Sequence, residues 1–473
     1  MNILLTVSVF IFPLITFPYV SRILRVEGLG KVQFATALIS YFTLFSQLGI
    51  PVYGIRVCAK VRDDRRELSK TVHELFIVQF FTTIAVYIAF FVLLLSVPRF
   101  QADRTLYVIV SLNIFGTFIG MEWLYKALEQ YTYITIRSII FKIIALGAMF
   151  VLIKNEADYV IYGGITIFAA SASNIFNFIH VRKHIDVKPI GNYSIFKHIR
   201  PMLVFFAMSC ATTVYTHLAT VMLGFMSTDA NVGYYGAATK IKTIMVAIVT
   251  SLGTVLLPRA SYYVKNNKMV QFRYITARAL QFVILLATPM AVYFMIFAPQ
   301  GIRFLSGGGY DGAIVPMIIV MPTLLLIGMT NIMGIQILVP TGREKIVLYS
   351  VISGAAGNII TNAVLIPRIE SIGAAIGTLV AEIIVFSVQF YVLKKEVKDT
   401  FRKIPYIKVG MALILAVCAS VWIYKLKFGN FLTLVTSATC FFGMYGGVLL
   451  ITKETLITEI LQQLLRKIKR NKN

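Results

Sequence analysis

Glu74-Leu-Phe-Ile-Val-Gln-Phe-Phe-Thr-Thr-Ile-Ala-Val-Tyr-Ile-Ala-Phe-Phe-Val-Leu-Leu-Leu-Ser-Val97 carries one charge, at its first residue. As a helix rising 1.5 Å per residue, the stretch is about 36 Å long, enough to cross a hydrocarbon layer roughly 30 Å thick. Comparable apolar blocks recur along the 473 residues, which are 58% hydrophobic and 14% charged, with a mean hydropathy of +0.80. An ordinary soluble domain carries roughly 25% charged residues, so no soluble core absorbs such a composition. The sequence therefore predicts an all-α polytopic membrane protein.

The blocks place fourteen spans, at 3–21, 34–54, 74–97, 105–125, 133–153, 159–181, 201–226, 237–258, 279–300, 313–339, 346–366, 372–393, 406–424 and 431–451. Nothing basic precedes the first block and no small-residue cleavage site follows it, so it reads as a span and not as a secretory signal. The expected organisation is an N-terminal six-helix lobe (1–181), a connector (182–200), a second six-helix lobe (201–393), helices thirteen and fourteen (394–451) and a tail (452–473). One set of alternate loops holds 31 of the 45 basic residues, with Lys408 at a span edge among them, and the opposite set holds 10. The positive-inside rule makes the first set cytoplasmic, and an even number of spans puts both termini there. The net charge of +25 is thus a topology signal, and no nucleic-acid partner is expected.

A faint repeat relates the lobes. Gly30-Lys-Val-Gln-Phe-Ala35 opens span two, which closes at Pro51; Gly233-Tyr-Tyr-Gly-Ala-Ala238 opens span eight, which closes at Pro258. Six spans per copy gives parallel repeats about an axis along the membrane normal, an arrangement that encloses a central cavity.

Charges within spans are the functional candidates, because one facing lipid at mid-bilayer costs roughly 2.5 to 3.5 kcal/mol. Arg137 and Lys142 lie about 140° apart around one helix, and Lys240 and Lys242 about 200° apart. They are cavity candidates or snorkelling residues. Arg22 and Arg25 share a face at the end of span one, with Glu27 close behind, and Arg56 follows span two. They are either interfacial anchors, with an Arg-Glu pair to Glu27, or a guanidinium group that takes phosphate oxygens bidentately. Glu122 has the spacing to pair with Lys126, and Glu382 is the most deeply embedded acid; both are candidates for ion coupling or for structural pairing. Asn177, Asn358 and Asn362 sit in polar stripes that fit interhelical hydrogen bonding or the lining of a cavity for a hydroxyl-rich ligand. The tail repeats apolar residues from Leu456 to Ile468 at helical spacing and ends in basic residues, as an amphipathic helix on an anionic membrane face does.

Catalytic signatures are missing. The five histidines form no H-E-x-x-H or H-x-x-x-x-D arrangement, Gly307-Gly308-Gly309 has no lysine after it, and the four cysteines show no C-x-x-C spacing. No enzyme activity, cofactor or metal is expected.

Phe12-Pro13-Leu14-Ile15-Thr16-Phe17-Pro18-Tyr19-Val20-Ser21-Arg22-Ile23-Leu24, with Glu27-Gly28-Leu29-Gly30 and Phe34-Ala35, resembles the opening of the Wzx-type oligosaccharide flippases. These form the polysaccharide-transport branch of the superfamily that includes MATE exporters. Glu122-Trp-Leu-Tyr-Lys-Ala-Leu-Glu129 and Pro340-Thr-Gly-Arg-Glu344 resemble that family's fourth and tenth spans. Arg25 and Val26 stand where the family string has Gly and Pro. The resemblance implies a MATE-like fold in the bacterial plasma membrane, moving an undecaprenyl-diphosphate-linked oligosaccharide between leaflets by alternating access. It also implies a polysaccharide polymerase and a chain-length regulator as partners, and a monomeric chain. A cation-coupled drug exporter is the alternative; its expected acidic residue in span one is absent. A membrane polymerase or acyltransferase of envelope sugars is a third, without the large outer loop or His-Asp pair it would show.

Overall fold

The computed structural model describes residues 2–402, 404–426, 428–454 and 458–459. Among them it is helical throughout. In chain order the helices are α1 (Asn2–Gln47), α2 (Ile50–Lys60), α3 (Arg65–Ser96), α4 (Pro98–Ala102), α5 (Arg104–Gly120), α6 (Glu122–Ala127), α7 (Tyr131–Leu152), α8 (Tyr159–Ile167), α9 (Asn174–His180) and α10 (Phe196–Met226). They continue as α11 (Asp229–Lys265), α12 (Met269–Ile296), α13 (Ala298–Ser306), α14 (Ile314–Val320), α15 (Thr323–Thr330), α16 (Glu344–Arg402), α17 (Tyr406–Val421) and α18 (Asn430–Ile451). Each expected span falls on this helical framework, and the chain is a multi-pass membrane protein. The predicted amphipathic tail lies almost wholly outside the described residues; Glu459 is described and accepts a hydrogen bond from Arg278 on α12.

The continuous spans of the sequence reading are interrupted in several places. Span two is broken at Leu48 and Gly49, both with positive φ (42° and 78°), and resumes as α2 with Pro51 in its first turn. Span four is broken at Met121, φ 37°. Spans six and ten contain π-helical stretches at Phe168–Ala172 and Asn331–Leu338. Conversely, span one and most of span two follow each other in α1 as two helices joined at the non-helical Arg25. Likewise α16 carries spans eleven and twelve, interrupted at Ile369 and Glu370.

Across that second interruption the chain reverses. A methyl group added at Gly373 would come within 2.7 Å of the Leu365 backbone, one at Gly377 within 2.0 Å of Asn362, and one at Gly357 within 2.2 Å of Ile384. Gln389 donates to the Ser350 hydroxyl at 3.0 Å. As one position moves up the sequence its partner moves down by a similar step, so the two halves of α16 run antiparallel. Glycine lets the backbones approach closely.

The chain forms two compact units, Met1–Gly233 and Tyr234–Asn473. The first contains the six expected N-terminal spans, the connector and α10. Its core joins Ile50, Tyr53 and Cys58 of α2 to Leu68, Val72 and Leu75 of α3 and Trp123 and Leu124 of α6. Within this unit Gly30 meets the backbone of Asp229 and Gly233, and Gly233 meets that of Val26. The two glycines that open the sequence repeat are thus a single backbone crossing, where a side chain on either one would collide. In the second unit, Val249, Leu280, Val283, Leu324, Met333 and Leu393 build the larger core. Ile140, Ile143, Ile144 and Val151 on α7 and Phe81, Ile88, Val92 and Leu95 on α3 are exposed, as lipid-facing residues are.

Candidate functional site

Arg25 adopts φ 54°, ψ −170°, a backbone region populated almost only by glycine and costing another residue of order 1–3 kcal/mol. This is the position at which the resembled family has Gly. The expected partner, Glu27, is exposed, and Arg25 Nε instead pairs with Glu156 Oε1 at 2.5 Å. Both partners are more than half exposed, and such a pair contributes at most about 1 kcal/mol. The ion pair therefore does not offset the strain. Arg25→Gly is expected to raise the melting temperature of the purified protein by a few degrees; an unchanged or lower melting temperature would show that the arginine side chain holds the turn.

Arg22 is exposed, and its Nη1 donates to the Pro18 carbonyl one turn back. Arg56 on α2 is exposed and makes no ion pair or hydrogen bond to other described residues. The structure does not bring these three arginines into one cluster. The helical stretch from Val26 to Gln47 between Arg25 and α2 is about 33 Å long, so Arg56 lies at the opposite end from Arg22 and Arg25. At the Arg25 end, Lys31 pairs with Asp103 at 3.0 Å and Arg99 with Asp229 at 2.8 Å.

Arg137 is buried, and its two Nη atoms are occupied. Nη1 donates to the Ser173 carbonyl at 2.8 Å and Nη2 to Asn174 Oδ1 at 3.2 Å. Asn174 in turn donates to the Gly116 carbonyl. Ser173 is the junction between the π-helical stretch and α9, so Arg137 caps the irregular backbone of span six and is not displayed on a cavity wall. Asn177 is likewise buried: its Nδ2 donates to the Gly120 carbonyl at 2.6 Å and its own carbonyl accepts from the Tyr125 hydroxyl at 2.6 Å. Asn362 donates to Asn358, and both are buried in the α16 hairpin. The three asparagines serve helix contacts. Glu122 and Lys126 stand 3.6 Å apart and partly exposed. Lys142 is half-buried.

In the second unit, half-buried Lys240 and Lys242 lie on α11 and buried Glu382 on α16. Glu382 acts electrostatically on both Lys242 and Tyr235, and the Tyr235 hydroxyl is 2.7 Å from that of Thr378. Lys242, a cavity candidate of the sequence, and Glu382, a candidate for ion coupling, thus share one neighbourhood.

Sequence reasoning missed a heavily bonded buried acid. Glu74, fully buried in the third turn of α3, accepts from the Ser194 backbone N–H at 2.7 Å, from Lys197 Nζ at 2.8 Å and from His198 Nε2 at 2.7 Å. His198 Nδ1 reaches the Tyr53 hydroxyl at 2.8 Å. With a neutral imidazole, Nε2–H donates to Glu74 and Nδ1 accepts from Tyr53. The network ties α2, α3 and the start of α10 together. A glutamate heading an apolar block and a histidine in the basic connector were the available signals. Among the described residues no group of three or more His, Cys, Asp or Glu is placed to hold a metal ion.

The model of a family described as "Polysaccharide biosynthesis protein" matches residues 1–264. A protein of Escherichia coli (strain K12) named as a candidate O-antigen transporter is 24% identical over 80% of this chain and 92% of its own length. One of the same description from Shigella dysenteriae is 24% identical over 80% of this chain and 94% of its own. In fold the chain resembles the lipid II flippase MurJ in an inward closed conformation, with a TM-score of 0.75 and 16% identity over 96% of this chain and 100% of that one. With the family match running through more than half of its length, the chain belongs to the polysaccharide biosynthesis protein family.

Proposed function

We propose that the chain is a Wzx-type flippase, which carries an undecaprenyl-diphosphate-linked oligosaccharide across the bacterial plasma membrane by alternating access, for surface polysaccharide assembly. The observation that carries the reading is the coincidence of a flippase fold over 96% of the chain with relatives named as candidate O-antigen transporters over 80% of it. The loop charges support cytoplasmic termini, which puts Arg56 at the cytoplasmic end of its helix and Arg22 and Arg25 at the outer end. A diphosphate passing between leaflets then meets a guanidinium at either side of the membrane, and charge-assisted, bidentate bonds favour arginine there. Lys242 with Glu382 is the place where protonation or cation binding would bear on transport.

Deletion of the gene in the native host should abolish or alter a surface polysaccharide and leave susceptibility to cationic dyes unchanged, and the plasmid-borne gene should restore display. Normal polysaccharide combined with new dye sensitivity would replace this reading with that of a drug exporter.

A further inference from the structure

Within the first unit, two polar stripes border a cavity of about 280 Å³. Ser40, Thr43 and Gln47 are spaced i, i+3, i+7 on α1, and Ser209, Thr213 and His217 are spaced i, i+4, i+8 on α10, so each set lies along one face of its helix. Asn113 of α5 adds a second amide, and the remaining lining residues are Leu44, Gly49 and Pro51. No acid, lysine or arginine lines the space. A volume of this size holds about nine waters at roughly 30 Å³ each, so there is room for a sugar ring.

The cavity sits at the break in span two. Pro51 has no N–H to give to the Gln47 carbonyl four residues before it, and Gly49 approaches α10 so closely that a methyl group there would come within 2.4 Å of the Met202 carbonyl. Irregular backbone at membrane depth is tolerated where it is buried in protein or lines an aqueous cavity, and interrupted helices are where transporters place their binding groups. The Ser40 and Thr43 hydroxyls donate to Thr36 and Ile39 carbonyls and keep acceptor capacity. Among the described residues, no hydrogen bond is made by the side chains of Gln47, Asn113, Ser209, Thr213 or His217.

A wall that sets seven uncharged polar side chains, able both to donate and to accept, among apolar surface is poorly suited to a phosphate or a cation. It suits a neutral polyhydroxylated group. We infer that this cavity is a saccharide subsite, holding sugar of the lipid-linked oligosaccharide through its hydroxyls while the diphosphate is bound elsewhere. The inference rests on the flippase reading above.

The test uses the full-length protein in lipid nanodiscs and the oligosaccharide released by mild acid from the strain's own lipid-linked precursor. Saturation-transfer NMR should show contact between the parent protein and sugar protons, and millimolar inorganic pyrophosphate should not displace it. Loss of one or two hydrogen bonds in Asn113→Ala or Gln47→Ala should weaken binding about tenfold. Thr213→Trp, which fills the cavity, should remove it, and the smaller changes guard against misfolding of that variant. No transfer to the parent, parent-like binding by Thr213→Trp, or displacement by pyrophosphate would overturn the subsite. Polysaccharide display separates the two ideas: failure of the parent gene to restore it refutes the flippase reading. Restoration by the parent and equally by Gln47→Ala, Asn113→Ala and Thr213→Trp refutes the subsite alone.

Discussion

Glu74→Ala is expected to lower the abundance of the protein in membranes severalfold and to cut its melting temperature in detergent more than any single surface change. The carboxylate is fully buried and accepts from Ser194, Lys197 and His198, while His198 is held in turn by Tyr53. Removing the carboxylate leaves the buried His198 Nε2 without its acceptor, whereas Ser194 and Lys197 can turn to water, so the cost is about 3 kcal/mol, the low end for breaking a buried charged pair. Lys197 is half-exposed, so Lys197→Ala should have a much smaller effect. Tyr53→Phe leaves one imidazole nitrogen unpaired and should fall between, at about 1–3 kcal/mol. A Glu74→Ala protein that melts with the parent would mean that the network does not hold α2, α3 and α10 together.

The largest effect on transport is expected at Arg56. It is exposed and, among the described residues, has neither an ion pair nor a hydrogen bond, so its removal leaves nothing unsatisfied and should not lower protein level. Charge-assisted bonds to a partly desolvated phosphate are worth roughly 1.5 to 3 kcal/mol, or about 10- to 150-fold in affinity. Arg56→Ala should therefore reduce polysaccharide display in a flippase-null strain by at least about tenfold at matched membrane abundance. Arg56→Lys keeps the charge, loses the bidentate fork, and should retain part of the activity. Display equal to the parent in the alanine variant would assign Arg56 to interfacial anchoring.

Apolar block length made the crossing segments legible, because a hydrocarbon layer imposes it on each of them, and among the described residues ten or more helices are long and apolar enough to cross. The interruptions were less legible. Gly49 and Pro51 lie inside an otherwise apolar run, and the π-helical stretches at Phe168–Ala172 and Asn331–Leu338 hold no proline and a single glycine, Gly334, to announce them. The site was harder to read for a different reason: a charge in a span shows that a partner exists without showing which. Arg137 finds a backbone carbonyl and an asparagine on another helix, and Arg25 finds Glu156 instead of the nearby Glu27. Sequence adjacency says little about such partners. Nor could it separate Arg56 from Arg22 and Arg25, although the length of the intervening helix already contained that distance.

The antiparallel halves of α16 bear on how the protein is made. Each half carries polar groups that lipid tolerates poorly, Asn358 and Asn362 in the first and Glu382 in the second, all buried in the folded chain. Their close register, Gly377 against the Asn362 side chain and Gly373 against the Leu365 backbone, forms only when both halves are present. During biosynthesis the first half therefore gains its full partners only after the second has been synthesised, and the two enter the bilayer most favourably as a hairpin, with the short interruption at Ile369 and Glu370 as its turn.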